Sequence, residues 1–96
     1  MNKKQKNIKC EWEDLEKELF TPEEIAIAEM RVRITQGIYE ARKQKELSQQ
    51  HLERKTGIKY QSISRIERGV INPQINTIAK ILYPLGKTLD IVDLKQ

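Results

Sequence analysis

The stretch 57–69, GIKYQSISRIERG, places three isoleucines among polar and basic residues, between two glycines. On a helical wheel of about 100° per residue, Ile63 and Ile66 fall on one narrow stripe. Tyr60, Gln61, Ser64, Arg65 and Arg68 spread over the other side, and Glu67 lies on the flank of the stripe. Lys59 shares the bearing of the stripe but stands at the helix start, where it can reach outward. The pattern predicts a helix anchored by two isoleucines that presents aromatic, amide, hydroxyl and guanidinium groups. Those groups suit DNA. Gln pairs with adenine, Arg with guanine, an aromatic edge meets a thymine methyl, and Ser reaches a base or a phosphate. The residues alone leave a solvent-facing surface as the alternative.

The neighbouring segments narrow the choice. Ser48 is a capping residue, and SQQHLERKTG at 48–57 reads as a two-turn helix stopped by Gly57. A short helix, a glycine turn and a second short helix make a helix-turn-helix, whose second helix enters the major groove. Upstream, TPEE at 21–24 is a helix start. Thr21 caps, Pro22 takes the first helical position and Glu24 completes a capping box. A single long helix then runs to Lys45, with Ile27, Ile34, Ile38 and Ala41 on one apolar face. Gly37 is its weak point, since an interior glycine costs about 1 kcal/mol against alanine.

Before it, CEWEDLEKELF at 10–20 aligns Trp12, Leu15 and Leu19 on one side of a short helix, with Glu11, Glu13, Asp14, Glu16 and Glu18 largely elsewhere. The first seven residues are polar, lysine-rich and expected to fray. Downstream, Pro73 marks another helix start, Ile75, Ile78, Ala79 and Leu82 form its apolar face, and Pro84 and Gly86 end it. KTLDIVDL at 87–94 is rich in β-branched and apolar residues and reads as a strand. A lone strand is not stable in water, so this one needs a partner, such as the same strand of a second subunit.

Ninety-six residues make one small domain with an appended arm, too small for the deep cleft of a typical metabolic enzyme. Hydrophobic residues are 38% and charged residues 33%, as in a globular chain with a heavily charged surface. No apolar run approaches the roughly 20 residues that span a bilayer, and the lysines of the first ten residues have no apolar stretch behind them to make a secretory signal. The single Cys10 has no internal disulfide partner, which favours a reducing cytoplasm. His51 has no Cys, His or carboxylate at metal-ligand spacing and is expected on an exposed helix face. No catalytic constellation, metal site or cofactor motif is read, and the chain is not expected to be an enzyme.

Charge is unevenly distributed. Residues 1–30 hold five Lys/Arg against eight Asp/Glu, a net of −3, and residues 31–68 hold ten against four, a net of +6. Such asymmetry points to two surfaces with different partners, the basic one a polyanion. Charge alone fits a set of solvated helix faces equally well.

ARKQKELSQQHLERKTGIKYQSISRIERGVINPQINTIAKIL at 41–82 resembles the Cro/C1-type (XRE-like) helix-turn-helix family, and the resemblance extends from about Ile34 to Leu82. The flanks, LFTPEEI at 19–25 and LYPLGKTLDIVDL at 82–94, resemble HigA-type antitoxins of bacterial toxin–antitoxin operons. The resemblance implies a phosphate-gripping and bracing role for Gln49, base-facing positions at Lys59, Tyr60, Gln61 and Arg65, and positions near phosphates at Ser62 and Asn72. It also implies an internal ion pair of Arg42 with Glu67, consistent with the place of Glu67 beside the core stripe. Three residues depart from the family pattern. Glu46 stands where Gly is frequent. Glu53 stands where a small Ala is usual, so the motif helices are expected to pack less closely or at a changed angle. Lys59 replaces a better capping Ser or Thr.

The expected fold is all-α, a five-helix Cro/C1-type helix-turn-helix domain with an N-terminal acidic helix and a short C-terminal strand. Residues 1–30 form the acidic arm and the start of the long helix, 31–84 the DNA-binding domain, and 85–96 the dimerisation strand. The implied partners of this bacterial, cytoplasmic protein are a HigB-like toxin, double-stranded operator DNA and a second copy of the chain, with no membrane. Trp12, Leu15, Leu19 and Phe20 are the candidate toxin contacts, with packing back onto the domain left open. Leu89, Ile91 and Val92 are the candidate dimer contacts. The expected function is that of an antitoxin that neutralises an mRNA endonuclease and, as a dimer, represses its own operon. A stand-alone Cro/C1-type repressor of a mobile element, without a toxin, is the alternative. A protein-binding module that no longer reads DNA is a third.

Overall fold

A computed structural model of the chain describes residues 14–15 and 18–94. Trp12 and Cys10 lie outside the described residues. Among the described residues four α-helices are defined in full: α1 (Pro22–Gln44), α2 (Gln49–Thr56), α3 (Tyr60–Glu67) and α4 (Ile75–Leu82), followed by one turn of 3-10 helix at Tyr83–Leu85. The chain divides into two compact units, Met1–Arg31 and Val32–Gln96.

In the first unit, Asp14, Leu15, Glu18 and Leu19 are helical, and Phe20 and Thr21 separate them from α1. Thr21 and Glu24 cap α1 reciprocally. The Glu24 backbone N–H donates to Thr21 Oγ1 at 3.1 Å, and the Thr21 N–H donates to Glu24 Oε1 at 2.9 Å. Two otherwise orphaned groups at the helix start are thereby satisfied. The expected apolar face is only partly used, because Ile27 is exposed.

In the second unit, α1 continues unbroken through Gly37. Its inward face carries Ile38, Ala41 and Arg42, with Ile34 packed half-buried against the core. α1 stops in a left-handed turn at Glu46, whose φ is 55°. The Leu47 N–H reaches back to the Arg42 carbonyl at 3.1 Å and the Glu46 N–H to the Lys43 carbonyl at 3.0 Å. That pairing is a Schellman closure, with glutamate in the place that favours glycine.

The core consists of Ile38, Ala41, Leu52, Ile63, Ile66, Ile78, Ile81, Leu82 and Leu85. α1, α3 and α4 contribute residues at three- or four-residue spacing, α2 contributes Leu52, and the 3-10 turn closes the end with Leu85. Burying one such aliphatic side chain stabilises the fold by roughly 1.5–3 kcal/mol.

Two expectations are corrected. Ile75 and Ala79 are exposed, and the core face of α4 is Ile78, Ile81 and Leu82. Ile75 begins the helix, so the buried stripe starts one turn later. The C-terminal strand does not form: residues 87–94 have no regular secondary structure, and Ile91 and Val92 are 95% and 76% exposed. A strand requires a ladder partner, and the described residues contain no other strand to supply one. Among the described residues four helices are defined in full, and the expected acidic fifth is described only at the helical residues named above, the rest of it lying outside the described residues.

Two substitutions test the backbone directly. A Cβ added at Gly37 meets nothing within 4 Å, so Gly37→Ala is expected to stabilise the protein by about 0.5–1 kcal/mol. Glu46→Gly removes the side chain from a left-handed position and is expected to stabilise it by up to about 1 kcal/mol. Denaturant midpoints at unchanged slope are the measurement. A fall in midpoint for Gly37→Ala would show that α1 bends there in solution.

Candidate nucleic-acid interface

The turn between α2 and α3 is built from side chains as well as glycine. Ser48 caps α2: the His51 backbone N–H donates to Ser48 Oγ at 3.0 Å, while His51 Nδ1 accepts from the Ser48 N–H at 3.1 Å. His51 is exposed, but its ring takes the part that Glu or Gln usually plays in a capping box. At the other end, Gly57 adopts φ 79° and donates its N–H to the Glu53 carbonyl at 2.8 Å. Thr56 Oγ1 donates to the Leu52 carbonyl at 2.7 Å and accepts from the Ile58 N–H at 3.2 Å.

α3 then starts at Tyr60. Lys59 at its cap makes no side-chain capping bond. The carboxylate of Glu53, from the middle of α2, supplies one instead: the Tyr60 N–H donates to Glu53 Oε1 at 3.1 Å. The far end of α3 closes on Gly69, with the Val70 N–H reaching the Arg65 carbonyl at 2.9 Å.

The Arg42–Glu67 pair ties these elements together. Arg42 Nε donates to Glu67 Oε2 at 2.7 Å and Nη2 to Oε1 at 2.9 Å, a two-pronged contact. Arg42 Nη1 donates to the Leu47 carbonyl at 2.9 Å. Gln49 Nε2 donates to Glu67 Oε1 at 3.1 Å. The two charged side chains are only 9% and 5% exposed. The hydrogen bonds to Glu67 push the Arg42 pKa up against the opposing effect of burial, so the guanidinium stays charged. Its carbon lies 5.5 Å from the centre of the Tyr39 ring, within cation–π range.

With Ile63 and Ile66 held in the core, α3 exposes Tyr60, Gln61 and Arg65, flanked by exposed Lys59 and Arg68 and half-buried Ser62 and Ser64. Gln49 is half-buried at the first position of α2 and is joined to α3 through Glu67. Asn72 is exposed in the segment between α3 and α4, without a hydrogen bond to the other candidate residues. A helix anchored by two buried isoleucines, with basic residues, one amide and a tyrosine on its outer face, has the shape and chemistry that a major groove accepts.

Residues 38–92 match the helix-turn-helix family model. The chain belongs to the helix-turn-helix family. It is 43% identical over 84 residues to an uncharacterized HTH-type transcriptional regulator of Haemophilus influenzae, covering 88% of this chain and 86% of that one. A chain of a solved toxin–antitoxin module from Streptococcus pneumoniae is 44% identical, with a TM-score of 0.69 over 86% of this chain and 92% of its own. Within this helix-turn-helix chain, sequence reasoning missed two contacts, the Glu53 cap and the His51 acceptor. SxxH at 48–51 is the local signal for the second. Among the described residues, no helix is long and apolar enough to cross a membrane, and no group of three or more His, Cys, Asp or Glu is placed to hold a metal ion.

Removing either partner of the buried pair should be costly. Glu67→Ala is expected to destabilise the protein by about 3–5 kcal/mol, because Arg42 keeps its buried charge without the carboxylate. The double variant Arg42→Met, Glu67→Leu is expected to recover most of that loss. Chemical denaturation of Glu67→Ala, of the singles Arg42→Met and Glu67→Leu, and of the double variant checks it, and additive losses in the cycle would count against a coupled pair.

Proposed function

We propose that this protein is a HigA-type antitoxin of a bacterial type II toxin–antitoxin pair. It acts in the cytoplasm, neutralises a HigB-like mRNA endonuclease and, as a homodimer, binds operator DNA to repress its own operon. The observation that carries this reading is the likeness to the Streptococcus pneumoniae toxin–antitoxin chain over most of both lengths.

For DNA, the reading face comprises Lys59, Tyr60, Gln61 and Arg65, with Gln49, Ser62 and Asn72 beside the phosphates. Support comes from the outward placement of the α3 side chains on a helix fixed by two buried isoleucines. In a dimer, two such helices lie about one turn of DNA apart, roughly 34 Å, or a multiple of it. Leu89, Ile91 and Val92 supply the dimer contact by strand pairing, and their exposure in the single chain is compatible with that role.

For the toxin, the contact surface comprises Trp12, Leu15, Leu19 and Phe20. Leu15, Leu19 and Phe20 are 42%, 64% and 49% exposed, among the acidic Asp14, Glu18, Glu23 and Glu24. An apolar strip bordered by carboxylates suits a basic protein. The name of the Haemophilus influenzae relative, a transcriptional regulator, is also compatible with a second reading, a stand-alone Cro/C1-type repressor of a mobile element without a toxin. Co-expression with the adjacent gene product separates the two: an antitoxin co-purifies with it, and a stand-alone repressor does not.

On the operator, Gln61→Ala and Arg65→Ala are each expected to cost about 1–3 kcal/mol and to relax sequence preference. Fluorescence anisotropy on operator and scrambled duplexes measures both effects. Equal losses on the two duplexes would reassign these residues to phosphate contact.

Leu19→Asp combined with Phe20→Asp is expected to weaken toxin binding at least about tenfold and to leave operator binding unchanged. Titration calorimetry with the toxin is the check, and undiminished binding would place the contact elsewhere.

A further inference from the structure

The carboxylate of Glu53 is the feature of this helix-turn-helix that the general motif leaves unexplained. Glu53 and Gln49 are four residues apart, one turn of α2, and so share a face of that helix. Each holds one end of α3. Gln49 Nε2 donates to Glu67 Oε1 at the last residue of α3, and Glu53 Oε1 accepts from the backbone N–H of Tyr60 at the first. α3 is therefore clamped at both ends by one face of α2.

The two clamps differ in electrostatic consequence. The Gln49 clamp is a neutral group on a carboxylate that Arg42 already balances. The Glu53 clamp places a negative charge on the positive end of the α3 dipole. A bare helix N-terminus is a ready site for phosphate, and in α3 that end carries a carboxylate from the same chain. Non-specific DNA binding is almost wholly a matter of phosphate charge, whereas base reading depends on where side chains point. A carboxylate here therefore opposes the first and, by fixing the helix start beside Tyr60 and Gln61, supports the second.

We propose that Glu53 is a selectivity-determining positioning residue, which fixes the start of α3 and withholds that helix end from backbone phosphates, so that α3 discriminates by base rather than by charge. This inference rests on the reading of α3 as the DNA-reading helix.

The test uses a duplex selected by the wild-type protein from a random-sequence pool, set against a scrambled duplex of the same length. Glu53→Gln keeps an acceptor for the Tyr60 N–H and removes the charge. It is expected to tighten scrambled-duplex binding by about three- to tenfold and to change selected-duplex binding by less than about 1.5-fold, so that the selected-to-scrambled ratio falls by at least about twofold. Glu53→Ala removes both charge and acceptor. It is expected to show the same gain on scrambled DNA and, in addition, a loss of about tenfold on the selected duplex. Hydrogen exchange of the Tyr60 amide separates geometry from charge, with protection expected in wild type and Glu53→Gln and loss in Glu53→Ala. A Glu53→Gln protein whose selected-to-scrambled ratio stays within about twofold of wild type overturns the inference, whether or not Glu53→Ala folds. A wild-type protein that selects no sequence removes the DNA-reading proposal and this inference with it. Selection with an unchanged ratio removes the inference alone.

Discussion

The two-pronged contact of Arg42 with Glu67 is the constraint on which the helix-turn-helix unit turns. Arg42 projects from the last turns of α1, Glu67 ends α3, and the same guanidinium holds the Leu47 carbonyl in the turn that leads to α2. Gln49 joins from the start of α2. One buried network thus fixes the relation among three helices and the turn between two of them. A buried ion pair of this kind is a weak source of net stability, because desolvation offsets most of the attraction. Its value here is geometric: guanidinium and carboxylate meet through paired bonds, which set orientation as well as distance.

The apolar core supplies what the pair does not. Ile63 and Ile66 are essentially without exposed surface, and they anchor α3 through a narrow stripe. Because helix period separates that stripe from the outer side chains, Gln61 and Arg65 can vary without disturbing the core. The same separation makes α3 dependent on its ends. Eight residues are too few for a helix to persist in isolation, so capping from α2 and the closure at Gly69 contribute directly to its order. Lys59 contributes no capping side chain, and Glu53 fills that need from across the turn.

What the sequence reveals follows from the range of each interaction. Thr21 with Glu24, and Ser48 ahead of a polar helix, are local capping patterns, and each appears in the fold as an N-terminal cap. Gly57 and Gly69 mark left-handed helix ends, also local. Ile63 and Ile66 are legible because periodicity depends on sequence spacing alone. The Arg42–Glu67 pair spans 25 residues, and only the family pattern, helped by the wheel position of Glu67, points to it. The Glu53 cap is invisible to both kinds of reasoning. It joins a side chain to a backbone N–H seven residues on, across a turn, at a place where the family pattern favours alanine. Ile75 misleads for a different reason: it has the right spacing to join the apolar face, but the first turn of α4 projects beyond the core.

The C-terminal segment shows the limit of reading one chain at a time. Its composition favours a strand, yet residues 87–94 remain irregular, and Leu89, Ile91, Val92 and Leu94 are exposed. These observations agree once the cost of each state is considered. A solvated single segment leaves its backbone groups bonded to water at little cost, while ordering it as a strand without a partner loses conformational entropy for no ladder bond. Pairing with an identical segment changes that balance, since each new ladder bond comes with apolar side chains leaving water. A composition that favours extended structure and an irregular backbone in the single chain are both compatible with the pairing proposed above.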